Sequence, residues 1–248
     1  LVNIVVSTLV SLISGLVILW FMNSSFQQKL KNFKFSFKPI ETLETIAMMY
    51  FFNYFIGIIG TFFSKLGLPD TSPDLWLNND ILYDIFIFIS VVILAPIFEE
   101  LIFRGMILRT LSKYNKVFAI VVTSLLFGLL HLNITQAVPA FFMSLVLCYM
   151  SLKSDSLLVT ILAHAANNLL ALLSTYFDHS IVITVIILAC VVYGLITLIL
   201  KAKEMSLFIH EEKTNVNWYA KFFKRIPNLL YLIFTIAWIC ITLIRNMM

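Results

Sequence analysis

Residues 81–112 read ILYDIFIFISVVILAPIFEELIFRGMILRTLS, and this stretch decides the fold. It is long enough to cross a bilayer, because a membrane-spanning helix needs about 20 apolar residues. Glu99, Glu100 and Arg104 nevertheless lie inside it, with apolar residues on both sides. Ionisable side chains within a membrane span are costly to bury, and their default interpretation is functional. The stretch therefore predicts a membrane helix that carries part of a functional site.

The composition of the whole chain agrees with a membrane protein. The 248 residues are 61% hydrophobic and 12% charged, with a mean hydropathy of +0.99. A soluble domain is about 45–50% apolar and about 25% charged. The net charge of +4 is small and comes from the loops, which favours a membrane surface as partner and argues against nucleic acid. We expect an all-α, multi-pass protein of the cell membrane, in contact with membrane lipid.

Apolar runs separated by polar stretches predict about eight transmembrane helices around an active site in the helical bundle. The runs are residues 2–22, 43–63, 81–112, 117–133, 135–152, 157–176, 180–200 and 228–245. We interpret residues 1–248 as a single integral membrane domain, with a motif-bearing core at about 81–176. The loop at 201–227 is the longest, and its aromatic residues at 218–223 predict a short interfacial helix.

Lysine and arginine alternate with neutral or acidic residues from one connection to the next. Residues 23–40, 109–116, 153 and 201–227 carry the basic side chains, whereas residues 64–80 carry three aspartates and one lysine. Positive connections lie on the cytoplasmic side of most membrane proteins. The pattern predicts that the basic connections share one membrane face.

Two adjacent glutamates in the third run have different expected partners. Glu100 and Arg104 are four residues apart, so they share a helix face and can form an ion pair. Glu99 lies about 100° further around the helix and is left free for chemistry. Pro96 cannot donate a backbone hydrogen bond to Val92 and predicts a disturbance of the helix just before the pair.

Two further segments place histidine in apolar surroundings. Phe127 and His131 are four apart at the end of the fourth run, and His164 and Asn168 are four apart inside the sixth. With a turn at residues 112–116 on one membrane surface, Glu99 and His131 both lie about 18–22 Å below that surface. The antiparallel pair of helices therefore brings them to a similar depth.

A carboxylate, two imidazoles and an amide can hydrolyse a peptide bond. A glutamate assisted by histidine can take a proton from water, and histidine and asparagine can donate to the oxyanion that forms. Glu99, His131 and His164 could alternatively ligate zinc with an open water position. No HExxH or GxSxG motif occurs in the sequence. A transporter would be expected to contain an internal repeat, and none is found.

The three segments together resemble the CPBP family of membrane proteases, also called the Abi or type II CAAX protease family. The family pattern is EExxxR, then FxxxH, then HxxxN or HxxxD. This sequence meets it with Glu99-Glu100 and Arg104, with Phe127 and His131, and with His164 and Asn168. The resemblance covers residues 85–175, and order and spacing agree throughout.

The resemblance implies an intramembrane endopeptidase that acts on a peptide or protein in or at the membrane. Glu99 and His131 would activate water, and His164 and Asn168 would form the oxyanion site. Glu100, Arg104 and Phe127 would support them, and no metal or other cofactor is expected. Two alternatives stay open: a zinc-dependent version of the same protease, and a non-catalytic membrane scaffold or regulator. Bacterial family members are linked to bacteriocin immunity and to the regulation of sensor kinases.

Overall fold

The computed structural model describes residues 34–65, 81–177, 180–211 and 216–247, and within these ranges it contains eight helices and no strand. The helices are α1 (Pro39–Lys65), α2 (Ile81–Leu111), α3 (Lys116–Leu130), α4 (Ile134–Ser154), α5 (Leu157–Tyr176), α6 (Ile181–Glu211), α7 (Trp218–Phe223) and α8 (Ile226–Met247). All except α3 and α7 are long and apolar enough to cross a membrane. The predicted all-α, multi-pass architecture is confirmed.

The predicted spans agree with the helices, with two corrections. The run at 117–133 forms α3, whose 15 residues extend over only about 22 Å, less than the hydrocarbon core of about 30 Å. The run at 180–200 continues as helix to Glu211, although residues 201–211 were expected to be loop. Within that extension, Lys201 forms an ion pair with Glu44 and Glu204 forms one with Lys153. The predicted span at 2–22 lies outside the described residues.

Helix α2 is irregular on both sides of the glutamate pair. Its turns are π-helical at Phe88–Leu94 and Leu101–Leu108, and they flank an α-helical segment, Ala95–Glu100. The predicted disturbance before Pro96 therefore takes the form of a π-helical segment, in which Ala95 N donates to Ser90 O, five residues back. Such segments are rare in proteins, and many of those that occur lie at functional sites.

A tight turn joins α3 to α4. Asn133 is the N-cap of α4, because its side-chain oxygen accepts a hydrogen bond from Gln136 N at 2.8 Å. Leu132 adopts a left-handed conformation with φ of 56°, which is strained for a residue with a branched side chain. His131 ends α3 immediately before this turn. The turn therefore fixes where the His131 side chain emerges.

Helix α4 lies at the centre of the bundle, and α6 and α8 lie at its outside. In the most apolar 18-residue stretch of each helix, 56% of the residues are buried in α4, but only 11% are buried in α6 and in α8. Helices α1 and α6 approach closely at Gly194, where any Cβ would collide with the carbonyl oxygen of Ala47. The exposed faces of α6 and α8 are apolar, as expected of surfaces in contact with lipid.

The basic connections meet at one end of the bundle. Asp155, between α4 and α5, accepts hydrogen bonds from Lys34 at 2.6 Å and from Arg109 at 3.3 Å. Lys38 Nζ also donates to Ser154 O at 2.8 Å. Segments before α1, at the end of α2 and after α4 therefore share one end of the bundle, as the charge pattern predicts.

The short helix α7 follows the predicted aromatic segment. Its Trp218 and Tyr219 rings pack against Tyr114 and Phe118, with centroid separations of 5.2 Å in both pairs. Asn217 caps the helix by accepting from Ala220 N. The predicted helix is present and packs against the α2–α3 connection, and its contact with headgroups stays a prediction.

Candidate active site

Glu100 and Arg104 form a fully buried ion pair on α2. Arg104 Nη1 lies 2.8 Å from Glu100 Oε1, and both side chains are 0% exposed. Arg104 Nη2 also donates to Ser144 Oγ on α4 at 2.6 Å. The guanidinium carbon of Arg104 lies 4.6 Å from the centre of the Phe127 ring. The predicted pairing is confirmed, and it joins α2 to both α3 and α4.

His164 on α5 lies between the two glutamates. Its Nδ1 is 2.9 Å from Glu100 Oε1, and its Nε2 is 3.8 Å from Glu99 Oε2. The helix spacing predicts separate surroundings for Glu99 and Glu100, whereas in the structure the two glutamates share one histidine. This is possible because neighbouring residues project about 100° apart around a helix and the two ring nitrogens face in different directions.

The contact with Glu100 fixes the proton on one nitrogen of His164. An ionised carboxylate held by arginine can only accept hydrogen bonds, so His164 Nδ1 must donate to Glu100. The 3.8 Å separation between Nε2 and Glu99 is too long for a hydrogen bond. It is short enough for both atoms to contact a single water molecule.

The two adjacent glutamates differ in accessibility. The Glu99 side chain is 27% exposed, whereas that of Glu100 is completely buried. Glu99 also interacts electrostatically with both His131 and His164. Of this adjacent pair, Glu99 is therefore the carboxylate that the surrounding protein does not fully enclose.

Phe127 brings the two histidines into one site. Its ring centre lies 5.4 Å from that of His131 and 5.8 Å from that of His164, with edge-to-face geometry in both pairs. Phe103 packs on the same ring at 5.0 Å. Phe127 is completely buried, so it is a fixed spacer between helices α2, α3 and α5.

The backbone determines the tautomer of a neutral His131. Its Nδ1 lies 3.1 Å from the carbonyl oxygen of Phe127, one turn earlier in α3. A carbonyl oxygen can only accept, so Nδ1 carries the proton. The Nε2 atom of the neutral ring then has a lone pair available to accept a proton or a hydrogen bond.

Asn168 has a partner that the sequence analysis did not anticipate. Its Nδ2 donates to the carbonyl oxygen of Val91 at 2.9 Å, inside the first π-helical segment of α2. His164 and Asn168 thus both face α2, as their spacing predicts. One of the two N–H bonds of the Asn168 amide is engaged by this contact.

Sequence reasoning missed Ser144, Asn53 and Asn167. Ser144 accepts from Arg104, and Asn53 Nδ2 donates to Asn167 Oδ1 at 2.9 Å. Each is a polar residue inside an apolar run, which is the signal that could have identified them.

The alternative zinc ligands are not arranged as a metal site. Among the residues that the structure describes, no three His, Cys, Asp or Glu side chains form a group that could hold a metal ion. His164 Nδ1 faces Glu100, and only its Nε2 faces Glu99. The geometry therefore offers no fit to a three-ligand zinc centre built from Glu99, His131 and His164.

Comparison with known proteins identifies the family to which this site belongs. Residues 81–170 match the family described as type II CAAX prenyl endopeptidase Rce1-like. Searches among curated proteins and among solved structures give no match. The matched region runs from the start of α2 through His164 and Asn168, and so includes all three motif segments. Residues 81–170 thus form a domain of the Rce1-like type II CAAX prenyl endopeptidase (CPBP) family, a family of intramembrane peptidases.

Proposed function

We propose that the protein is an intramembrane endopeptidase that hydrolyses a membrane-associated peptide, with Glu99 as the base that activates water. The observation that carries this proposal is the difference in exposure between adjacent carboxylates: 27% for Glu99 and 0% for Glu100. A catalytic base must reach the proton that it removes. Glu100 is occupied by Arg104 and His164, so its role is to hold those two side chains.

The two histidines have complementary roles in the proposed reaction. His131 donates through Nδ1 to the Phe127 carbonyl, so its neutral ring can assist Glu99 by accepting from the attacking water. His164 donates through Nδ1 to Glu100, and its Nε2 can donate to the oxyanion when the ring carries both protons. That proton balances the charge of Glu99, while Arg104 balances Glu100. Asn168 supplies a second oxyanion donor.

The short helix α3 supports access of water to this site. From the basic end of the bundle, α3 extends over about 22 Å and ends at His131, within a hydrocarbon core of about 30 Å. Asn133 in the following turn donates to Gln136 in the first turn of α4, so this end of the helix pair is polar. A polar turn at that depth favours a cavity open to one membrane face, where a membrane-associated peptide can enter. The family name points to prenylated CAAX peptides as the first substrates to test.

The proposal is tested by cleavage of a peptide library with purified protein in liposomes. The library contains prenylated CAAX peptides and unprenylated apolar peptides. Glu99→Gln keeps the shape of the side chain and removes the base, so we expect kcat to fall by about 100-fold or more. Glu204→Gln is the matched control, because Glu204 pairs with Lys153 at the basic end of the bundle and should be dispensable for cleavage.

Three outcomes would replace the proposal. Wild-type activity in Glu99→Gln would remove Glu99 as the base. Activity lost with a chelator and restored by zinc would support the metal-dependent version of the protease. An absence of cleavage by the wild type, combined with an intact cellular phenotype in Glu99→Gln and His131→Ala, would support the non-catalytic scaffold.

A further inference from the structure

A chain of three asparagine side chains links α1 to the irregular part of α2. Asn53 Nδ2 donates to Asn167 Oδ1 at 2.9 Å, and Asn167 Nδ2 donates to Asn168 Oδ1 at 3.3 Å. Asn168 Nδ2 then donates to Val91 O at 2.9 Å. We call these three residues the amide relay. Asn53 lies outside the region matched to the family, on a helix that the motifs do not include.

The carbonyl at the end of the amide relay determines the orientation of every amide in it. Val91 O can only accept, so Asn168 must present its NH₂ group to Val91 and its oxygen to Asn167. Asn167 must then present NH₂ to Asn168 and its oxygen to Asn53. Only a hydrogen-bond donor at position 53 completes this sequence of hydrogen bonds.

The accepting carbonyl is available because of Pro96. In the π-helical segment each N–H pairs with the carbonyl five residues back, as Ala95 N does with Ser90 O. The next position in that register is Pro96, which has no N–H to donate to Val91 O. Asn168 supplies the donor that the proline lacks.

We propose that Asn53 is a positioning residue, which acts through Asn167 to hold the Asn168 amide between α2 and the active site. This inference rests on the proposed function, in which Asn168 stabilises the oxyanion. One N–H of Asn168 is held by Val91, and its Oδ1 is held by the Asn167 amide that Asn53 keeps in place. Two fixed points set the plane of the Asn168 amide and therefore the direction of its second N–H. Without the donor at Asn53, Asn167 can reverse and turn its oxygen towards Asn168 Oδ1, which leaves the Asn168 amide held at Val91 alone.

Two substitutions of Asn53 separate the hydrogen bond from the packing. Asn53→Ala removes the donor, and we expect kcat to fall by about 10- to 100-fold with little change in KM, because an oxyanion donor acts in the transition state. Asn53→Asp keeps the shape, and its protonated form restores a donor while its ionised form places an acceptor against Asn167. At low pH the kcat of Asn53→Asp should therefore equal that of the wild type. At pH values where the introduced carboxyl is ionised, the ratio of the variant kcat to the wild-type kcat should fall.

The groups that titrate near the relay are the same in every variant. Tyr50, whose hydroxyl donates to Asn167 O at 3.3 Å, and Cys190 on α6 ordinarily titrate above about pH 8. On α5 and α2, His164, Glu99 and Glu100 belong to the site itself and affect each variant and the wild type alike. The ratio to wild type therefore isolates the introduced carboxyl.

Asn228→Asp is the matched control. Asn228 Nδ2 donates to Phe222 O at 2.9 Å. The substitution therefore also replaces an N–H donor that faces an oxygen atom, but it does so on α8, away from the motifs. We expect wild-type kcat at all pH values. An unchanged kcat in Asn53→Ala overturns the inference. A fall in Asn53→Asp that matches that of Asn53→Ala at every pH also overturns it, because packing would then be the cause.

A second readout does not depend on catalysis. The side-chain NH₂ resonance of Asn168, assigned by its loss in Asn168→Ala, should move in Asn53→Ala when measured by NMR in detergent. An unmoved resonance contradicts the amide relay whatever the activity. Activity in Glu99→Gln would contradict the proposed function alone, so the failures of the two proposals are distinguishable.

Discussion

Two carboxylates in this protein each bind two basic side chains, and their surroundings differ completely. Glu100 accepts from Arg104 at 2.8 Å and from His164 at 2.9 Å in the bundle interior. Asp155 accepts from Lys34 at 2.6 Å and from Arg109 at 3.3 Å at the basic end. The Glu100 and Arg104 side chains are 0% exposed, whereas those of Lys34 and Asp155 are 68% and 50% exposed.

The comparison shows that similar hydrogen bonds have different consequences in different surroundings. Water and ions can replace a lost partner at the exposed end, so such pairs contribute about 0–1 kcal/mol. A buried charge that loses its partner has no replacement, and the cost is about 3–5 kcal/mol. Substitution of either member of the buried pair should consequently destabilise the protein. The pair also holds His164 and Phe127 in fixed positions beside Glu99.

The largest expected effect comes from removing one member of the buried pair. Arg104→Leu leaves Glu100 without its main counter-charge, and the free energy of unfolding should fall by about 3–5 kcal/mol. Thermal unfolding in detergent measures this loss. Lys34→Leu is the control at the exposed end, with an expected loss of about 1 kcal/mol or less. The double variant Glu100→Leu/Arg104→Leu should recover part of the stability, and a further loss would contradict the argument.

A smaller effect is expected where helices touch beside the site. In Gly128→Ala the new Cβ would lie 2.7 Å from Ala137 O and 3.1 Å from Phe141 Cβ, so α3 and α4 must separate near His131. We expect a loss of about 1–3 kcal/mol. Gly57→Ala on α1 is the matched control, because its Cβ meets nothing within 4 Å and alanine favours the helix by up to about 1 kcal/mol. Equal melting temperatures for the two variants would contradict this contrast.

The smallest effect is expected at the basic end, and it depends on pH. The hydrogen bond from Lys34, together with the charge of Arg109, lowers the pKa of Asp155 below its ordinary value. The folded protein then binds fewer protons than the unfolded chain, so the pair stabilises the fold above about pH 3.9. This contribution is lost as the pH falls through the lower folded pKa.

Asp155→Asn tests this pH dependence. The melting temperature of the variant should lie slightly below that of the wild type at pH 6 and approach it as the pH falls below about 4. Salt should reduce the difference, because the pair is exposed. A difference in melting temperature that grows on acidification would show that folding does not lower the pKa of Asp155.

The sequence predicted features that depend on neighbouring residues. The apolar runs are long enough to predict the helices, because a bilayer requires continuous apolar segments whatever the fold around them. The pairing of Glu100 with Arg104 follows from a spacing of four residues within one helix. Alternating basic connections likewise predicted which segments meet at one end of the bundle, where Lys34, Arg109 and Asp155 lie together.

Tertiary structure alone decided the contacts between distant segments. His164 reaches Glu100 across 64 residues, and Asn168 reaches Val91 across 77. Such contacts depend on how α5 is rotated and shifted against α2, which no spacing within one helix specifies. The π-helical turns around Ala95–Glu100 are also a product of packing, because the carbonyl that Pro96 leaves open is satisfied only when another helix supplies a donor. The sequence by itself thus determined the helices, the local ion pair and the family motifs, and the packing decided which atoms face the accessible Glu99.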